Sequence, residues 1–534
     1  MPMRFVCLIG LCFAFVGPLS AQQAVCSKGR VWVDSNGDGL VNAGERGLGG
    51  VKVSDGRRVV LTDAQGNYDL PLPEGEGRTL FVVKPAGYGF PRRDDGLPAF
   101  WINDSPMPRP ALKYGGIPVS PHGLPRCMAF PLLVEKKRKG DELQVLLFAD
   151  TQTKNTADID YYRRDIVEPL VGKHSAVLGL TLGDVVDDDL SLYPALNEVT
   201  AQLDVPWLHI AGNHDLDSDA ARDEDSLLSF RNVYGPDTFA WEEQQAVFIG
   251  MDDVVYQPGM KPSYIGALRE DQFAFLEAYL PTVPKERLLV LGVHIPLFDA
   301  KPGIETFRRA DRKRLFALLA AFPHVLLLSG HDHTQRHVRH GADTDWHGAT
   351  PLHEYNVGAV CGAFWSGVKD AAGIPDSRMS DGTPNGYASL RVLAKGEYTL
   401  AWHPARDADR AMALHAPKVL RKGAYPAWGI YANVFMGEAD TRVEYRVDDG
   451  EWKAMKAVMQ PDPNVLVENM QDDLADALRG FDRSPEATDS LHLWRGALPT
   501  DLPVGTHKVE VRAFDRWRGE HAAQTSYRLE SASP

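Results

Sequence analysis

Five short polar clusters fall in one order along the middle of the chain. They are Phe148-Ala149-Asp150-Thr151-Gln152, Gly183-Asp184-Val185-Val186-Asp187-Asp188, Gly212-Asn213-His214-Asp215, Gly292-Val293-His294 and Gly330-His331-Asp332-His333. Borderline divalent metals such as Mn, Fe or Zn accept both carboxylate oxygen and imidazole nitrogen, and the set Asp150, Asp184, Asn213, His294, His331 and His333 mixes the two. A single carboxylate can bridge two cations about 3.5 to 4 Å apart, the spacing of two-metal hydrolytic sites. Asp184 is the bridging candidate. Cations held this way lower the pKa of water from 15.7 toward about 7, so a bridging hydroxide would be available near neutral pH. His331 and His333 share one short loop, and a turn can aim them at different metals. Two solvated surface histidines are the alternative, and the other four clusters weigh against it.

Each cluster ends or follows an apolar run: Val145 to Phe148, Leu178 to Leu182, Trp207 to Ile210, Leu288 to Leu291 and Val325 to Leu328. Such runs read as buried strands, and their exits are where layered α/β folds place active sites. Helical patterns alternate with them at Asp158 to Val171, Leu190 to Leu203, Ala221 to Tyr234, Arg269 to Leu280 and Phe307 to Phe322. Two sheets packed between helices account for this spacing. Asp237 to Trp241 and Ala246 to Met251 look like an antiparallel pair, so the sheets are expected to be mixed. The catalytic domain is expected at 141–370.

At 534 residues the chain is too long for one core, and about three domains are expected. A formal charge of −15 repels polyanions at long range and argues against general nucleic-acid binding. A small anionic substrate is compatible with it, because bound cations reverse the local field. Arg4, the apolar run Phe5 to Val16, the Gly17-Pro18 break and Leu19-Ser20-Ala21 read as an export signal over 1–21. The run is well short of the roughly 20 apolar residues that span a bilayer, and no later stretch does so. A periplasmic or secreted location, with no transmembrane anchor after cleavage, is expected. Cys7 and Cys12 would leave with the signal. Of the remaining cysteines, Cys26 and Cys127 could pair in an oxidising compartment, and Cys361 reads as a packed core thiol.

Residues 22–112 read as a small β-sandwich, with strands at Val31 to Val33, Val51 to Val53, Val59 to Leu61, Tyr68 to Leu70 and Leu80 to Val83. Within it Asp34, Asn36, Asp38 and Glu45, with Gly39 at the sharp turn, fit a calcium-loop pattern without flanking helices; a polar turn needing no metal is the alternative. The Pro-rich stretch within 113–140 reads as a linker. Residues 371–534 read as a second β-domain, with Trp452, Trp494 and Trp517 as core anchors and His492 and His507 as structural residues.

The ordered clusters resemble the calcineurin-like metallophosphoesterase superfamily over roughly Val145 to His333, and the flanking β-domains resemble those of its exported bacterial members. The resemblance implies a four-layer α/β/β/α core flanked by two mainly β domains. It places Asp150, Gln152, Asp184 and His333 around one metal, and Asp184, Asn213, His294 and His331 around the other. It makes His214 the catalytic histidine, helped by Asp187 or Asp215. The sequence departs from the usual pattern at Gln152, where His is common. A neutral amide oxygen is a harder, weaker donor, which favours Mn over Zn.

The expected function is therefore hydrolysis of a small phosphorylated substrate, whether phosphomonoester, phosphodiester or pyrophosphate. The alternative is a non-catalytic cell-surface or carbohydrate-binding protein with a decayed phosphoesterase domain. Decay usually removes ligands, and only Gln152 departs from the expected set. Ala363-Phe364-Trp365-Ser366-Gly367 is left with two readings, a substrate wall or packing between domains.

Overall fold

The computed structural model describes residues 28–70, 77–105, 110–119, 128–136, 140, 142–300, 303–425, 427–480 and 482–532. The expected export signal, Cys26 and Cys127 lie outside the described residues.

Two mixed sheets form the core. The first has the order Trp207–Ile210, Leu178–Leu182, Leu143–Phe148, Gly386–Val392, Tyr398–Pro404. Its first three strands run parallel, and the last two are antiparallel additions. The second has the order Thr238–Glu242, Ala246–Met251, Leu288–Gly292, Val325–Ser329, Leu352–Asn356, Arg336–His340, with parallel pairing inside and an antiparallel strand at each edge. Leu178–Leu182 and Leu288–Gly292 are buried at every position, as strands covered on both faces must be. The sheets face each other: a Cβ at Gly292 would run into Ile210, Leu182 and Leu180 of the opposite sheet. Helices form the outer layers of this α/β/β/α arrangement. The helical stretch after the first cluster starts where the Asn155 side chain accepts from the backbone N–H of Ala157 and Asp158. Its Tyr162 ring lies edge-on to Phe148. The expected helix at Ala221 to Tyr234 shrinks to Leu228–Tyr234 after one tight turn, because the acidic residues before it cap and brace loops instead.

Two expected boundaries are corrected. The core does not end at 370, since Gly386–Val392 pairs with Leu143–Phe148 and carries the first sheet to Pro404. Nor is 113–140 only a linker. Ala129–Val134 pairs in parallel with Lys28–Val33 and buries Phe130 and Leu132, so it belongs to the N-terminal sandwich. Pro131 concealed it, because a proline inside an apolar run argues against a strand.

The N-terminal sandwich packs one sheet, ordered Asn67–Asp69, Lys28–Val33, Ala129–Val134, Tyr88–Gly89, on another, ordered Val59–Leu61, Lys52–Ser54, Arg78–Val82, Trp101–Asp104. It docks on the second core sheet through Phe90 and Phe100, whose rings lie 5.8 and 5.9 Å from that of Trp241. Lys84 is fully buried at this junction, 2.8 Å from Glu243 and 3.1 Å from Glu135. The C-terminal sandwich has its own core of Ile430, Trp494, Val509, Val511, Tyr527 and Leu529. Trp494 is the anchor expected of it. Trp452 is instead held between the guanidinium groups of Arg446 and Arg512, and Trp517 packs on His337 and His353 of the catalytic core. His507 is fixed by Asp448 and the Pro503 carbonyl, a structural arrangement.

The Asp34–Glu45 loop is closed by its own donors. Buried Asp34 accepts from the N–H of Gly37 and Gly39, Asp38 from Leu40 and the Asn36 and Asn42 amides, and Glu45 from Ser35 and Asn42. A calcium ion would share oxygens that already carry hydrogen bonds. Asp34→Ala strands two amides, and in chemical unfolding it is expected to cost about 2 kcal/mol. Adding calcium to chelator-treated protein checks the cation: a raised melting temperature marks a calcium site, and an unchanged one marks a hydrogen-bonded turn.

Candidate metal centre

All five clusters converge at the strand exits where the two sheets meet. The first sheet brings Asp150, Gln152, Asp184, Asn213 and His214, and the second brings His294, His331 and His333. The backbone leaves the strands abruptly: φ is 50° at Asp150, 42° at Gln152, 49° at Asp184, 72° at His331 and 47° at His333. These left-handed values are uncommon outside glycine and concentrate at functional sites. Close approach also requires glycine beside the clusters. A Cβ at Gly183 would clash with the His294 ring, and one at Gly212 with the Asp184 carboxylate.

Around Asp184 the polar atoms crowd within hydrogen-bond reach of one another. His294 Nε2 lies 3.1 Å from Asn213 Oδ1, 3.2 Å from His331 Nδ1 and 3.3 Å from Asp184 Oδ2. Its other nitrogen is 2.9 Å from the Leu182 carbonyl, which fixes a proton on Nδ1 and turns Nε2 toward two oxygens, where it can carry a second proton or give its lone pair to a cation. A cation amid these atoms would take the place of the Nε2 proton and be held by the same groups. His333 repeats the design, with Nδ1 2.9 Å from the Gly362 carbonyl and Nε2 3.5 Å from Asp150 Oδ1. Gln152 Nε2 is 3.4 Å from Asp187 Oδ1, which turns the amide oxygen away from Asp187 as a donor. Asp184, His294 and His331 have ligand atoms within 4.8 Å of one another, so the residues present fit metal binding.

The electrostatics agree. Burial would raise Asp184, but His294 and His214 outweigh it and hold the carboxyl well below its usual range. Burial would lower His294, yet Asp184 pushes it up to about 10. The pocket thus favours positive charge beside two fully buried carboxylates, Asp150 and Asp184. Desolvation and the neighbouring His294 push His331, itself half-buried, down to about 4.

His214 stands at the rim. Its backbone N–H donates to Asp184 at 2.8 Å, and its Nδ1 lies 2.9 Å from Asp188 and 3.2 Å from Asp187. Burial opposes its charge, but the hydrogen bond to Asp188 and the charges of Asp184, Asp188 and Asp187 raise it to about 9. Asp188 was not singled out from the sequence; it is 74% exposed and differs from Asp187 only in which way the loop turns. The expected helper Asp215 is corrected. It is fully buried and accepts from Gly212 N–H, Val185 N–H and Tyr193 OH, so it ties two metal loops together and does not reach the rim. Also missed was Asp253, whose carboxylate accepts from the N–H of His294 and Ile295. Cys361 is buried as expected, but it packs 3.9 Å from both Gln152 Oε1 and His333 Nδ1. The two-way reading of the aromatic segment divides: Trp365 is buried and donates to the Thr151 carbonyl, and Phe364 is exposed beside His333.

Fold and site define a layered α/β/β/α protein whose converging carboxylate, amide and imidazole groups fit metal binding. Three family descriptions match consecutive stretches: N terminal of calcineurin-like phosphoesterase over 35–110, calcineurin-like phosphoesterase over 143–335, and C terminal of calcineurin-like phosphoesterase over 354–521. The chain belongs to the calcineurin-like phosphoesterase superfamily, in the form that carries both flanking β-domains. A relative from Arcobacter nitrofigilis, named probable glycerophosphodiester phosphodiesterase GpdQ, is 28% identical over 203 residues, 35% of this chain and 71% of the relative. A dimetal phosphatase from Danio rerio is 16% identical and overlaps 49% of this chain and 95% of its own, with a TM-score of 0.33. Purple acid phosphatase PPD1 from yellow lupin (Lupinus luteus) seeds is 12% identical and overlaps 67% of each chain, with a TM-score of 0.36.

If Asp215 braces rather than reacts, Asp215→Ala is expected to lower stability by about 3 kcal/mol and to lower metal content with it. Chemical unfolding and metal analysis check this; lost turnover with normal metal content would return Asp215 to a catalytic role.

Proposed function

We propose that the chain is an exported phosphodiesterase in which Asp150, Gln152, Asp184 and His333 hold one divalent metal, and Asp184, Asn213, His294 and His331 hold the other. The observation that carries the assignment is the convergence of His294 Nε2, Asn213, His331 and Asp184 on one small volume, a donor set that a shared cation would bind. When bound, such metals supply Lewis-acid polarisation of the phosphoryl oxygens and a water acidic enough to react near neutral pH. Gln152, neutral and oxygen-donating, favours manganese at the first position.

The protein's own part falls to His214. With Nδ1 turned to Asp187 and Asp188, its Nε2 is free to face the phosphoryl group, and those carboxylates keep the ring protonated at neutral pH. It can therefore donate to the leaving oxygen. At the mouth Asp187 and Asp188 are balanced by His214 and by Lys154, so the charge there accommodates an anionic phosphate ester. The 28% identity to a protein named as a phosphodiesterase supports the diester reading.

Metal analysis and turnover of bis-p-nitrophenyl and p-nitrophenyl phosphate, before and after adding manganese, test the assignment. About two metals per chain and preference for the diester are expected. Asp184→Asn should lose both metals and turnover; His214→Ala should lose about 100-fold or more in rate with metals retained. No metal and no turnover under any metal would favour the binding-protein alternative. Export is supported by the Arg4 to Ala21 pattern. N-terminal sequencing of protein from an extracytoplasmic fraction should begin near Gln22, and an intact Met1 in a cytoplasmic fraction would overturn it.

A further inference from the structure

We propose that Phe364 and Lys154 form a recognition platform for a planar aromatic group, which makes the preferred ester a nucleotide-type phosphodiester; the proposal rests on the phosphodiesterase reading above. Phe364 and Trp365 adopt φ of 57° and 55°, consecutive left-handed residues that are outliers for bulky side chains. The turn sends the two rings opposite ways. Trp365 goes inward, its indole N–H 3.0 Å from the Thr151 carbonyl and its ring 6.3 Å from Tyr161. That contact fixes the turn to the first metal loop. Phe364 is thereby held outward, 41% exposed, with its ring 4.8 Å from the ring of His333.

An exposed phenyl ring on a strained backbone gains little from packing. Its place beside His333 lets a group stacked on it belong to a molecule whose phosphate reaches the candidate metal site. Lys154, on the same loop as Asp150 and Gln152, sets its ammonium 5.2 Å from the Phe364 ring centroid. The flexible four-carbon stem lets that charge move to a phosphate oxygen when a flat ring takes its place over Phe364. A base stacked on the phenyl face with its phosphate beside Lys154 uses both groups at once, and a sugar or glycerol ester uses only the cation.

The test uses manganese-loaded full-length protein and two probes differing only in the base: adenosine 5′-monophosphate and ribose 5-phosphate, as inhibitors of bis-p-nitrophenyl phosphate hydrolysis. The nucleotide is expected to bind at least about fivefold more tightly. Phe364→Ala should erase the difference, Phe364→Tyr should keep it, and Lys154→Gln should weaken both probes alike. Equal inhibition in the wild type, or a difference that survives Phe364→Ala, overturns the platform. Reduced metal content in Phe364→Ala with the preference preserved also overturns it, making the ring a shield for His333. If the loaded wild type does not hydrolyse the diester, the phosphodiesterase reading has failed, and calorimetric titration of the same two probes still decides the platform.

Discussion

Two carboxylates, Asp150 and Asp184, are buried where two sheets meet, and the rest of the molecule is arranged around compensating them. A buried charge without a partner is among the costliest features a fold can carry. The compensating groups come from the opposite sheet: the rings of His294 and His333, and the backbone N–H of His331, which donates to Asp150. The sheets must therefore close face to face with their strand exits together, and glycine must stand at Gly183 and Gly212 so that ring and carboxylate can approach. Left-handed backbone at the ligand positions is the local cost of turning donors out of strands into one small volume.

The flanking domains contribute bracing to the same centre. The described part of the segment before the core reaches back to it: Tyr114 OH donates to the Asp188 carbonyl, and Lys113 N–H to Asp219. On the other side Asp381 accepts from Gln335 N–H, two residues beyond His333, and from His492 of the C-terminal sandwich. Asn433 completes this clasp by bonding His492 and donating to the Asp381 carbonyl. The loop around Asp381 is thus committed to holding the C-terminal domain against the metal loops. The N-terminal domain grips the second sheet through aromatic rings and the buried ion pairs of Lys84.

The candidate metal donors could be picked out because each is a polar residue in a short cluster that follows an apolar run, a local signal that needs no partner to be read. The helper residues were not. Asp187, Asp188 and Asp215 are alike as acids near His214, but one faces the amide of Gln152 and the His214 ring, one only the ring, and one the interior. Phe364 and Trp365 are adjacent aromatics whose opposite fates depend on a backbone turn and on a carbonyl of the first metal loop.

The sequence by itself determined the donor chemistry, the strand character of the runs that carry it, and the succession of a β-domain, an α/β core and a second β-domain. Those are properties of residue type and short-range pattern. Tertiary structure alone decided that Gly386–Val392 joins the first core sheet, that Ala129–Val134 completes the N-terminal sandwich despite Pro131, and which acids reach His214. Pairing partners and burial are set by contacts between segments far apart in the chain. A strand's own residues say that it will pair, and the rest of the fold says with what.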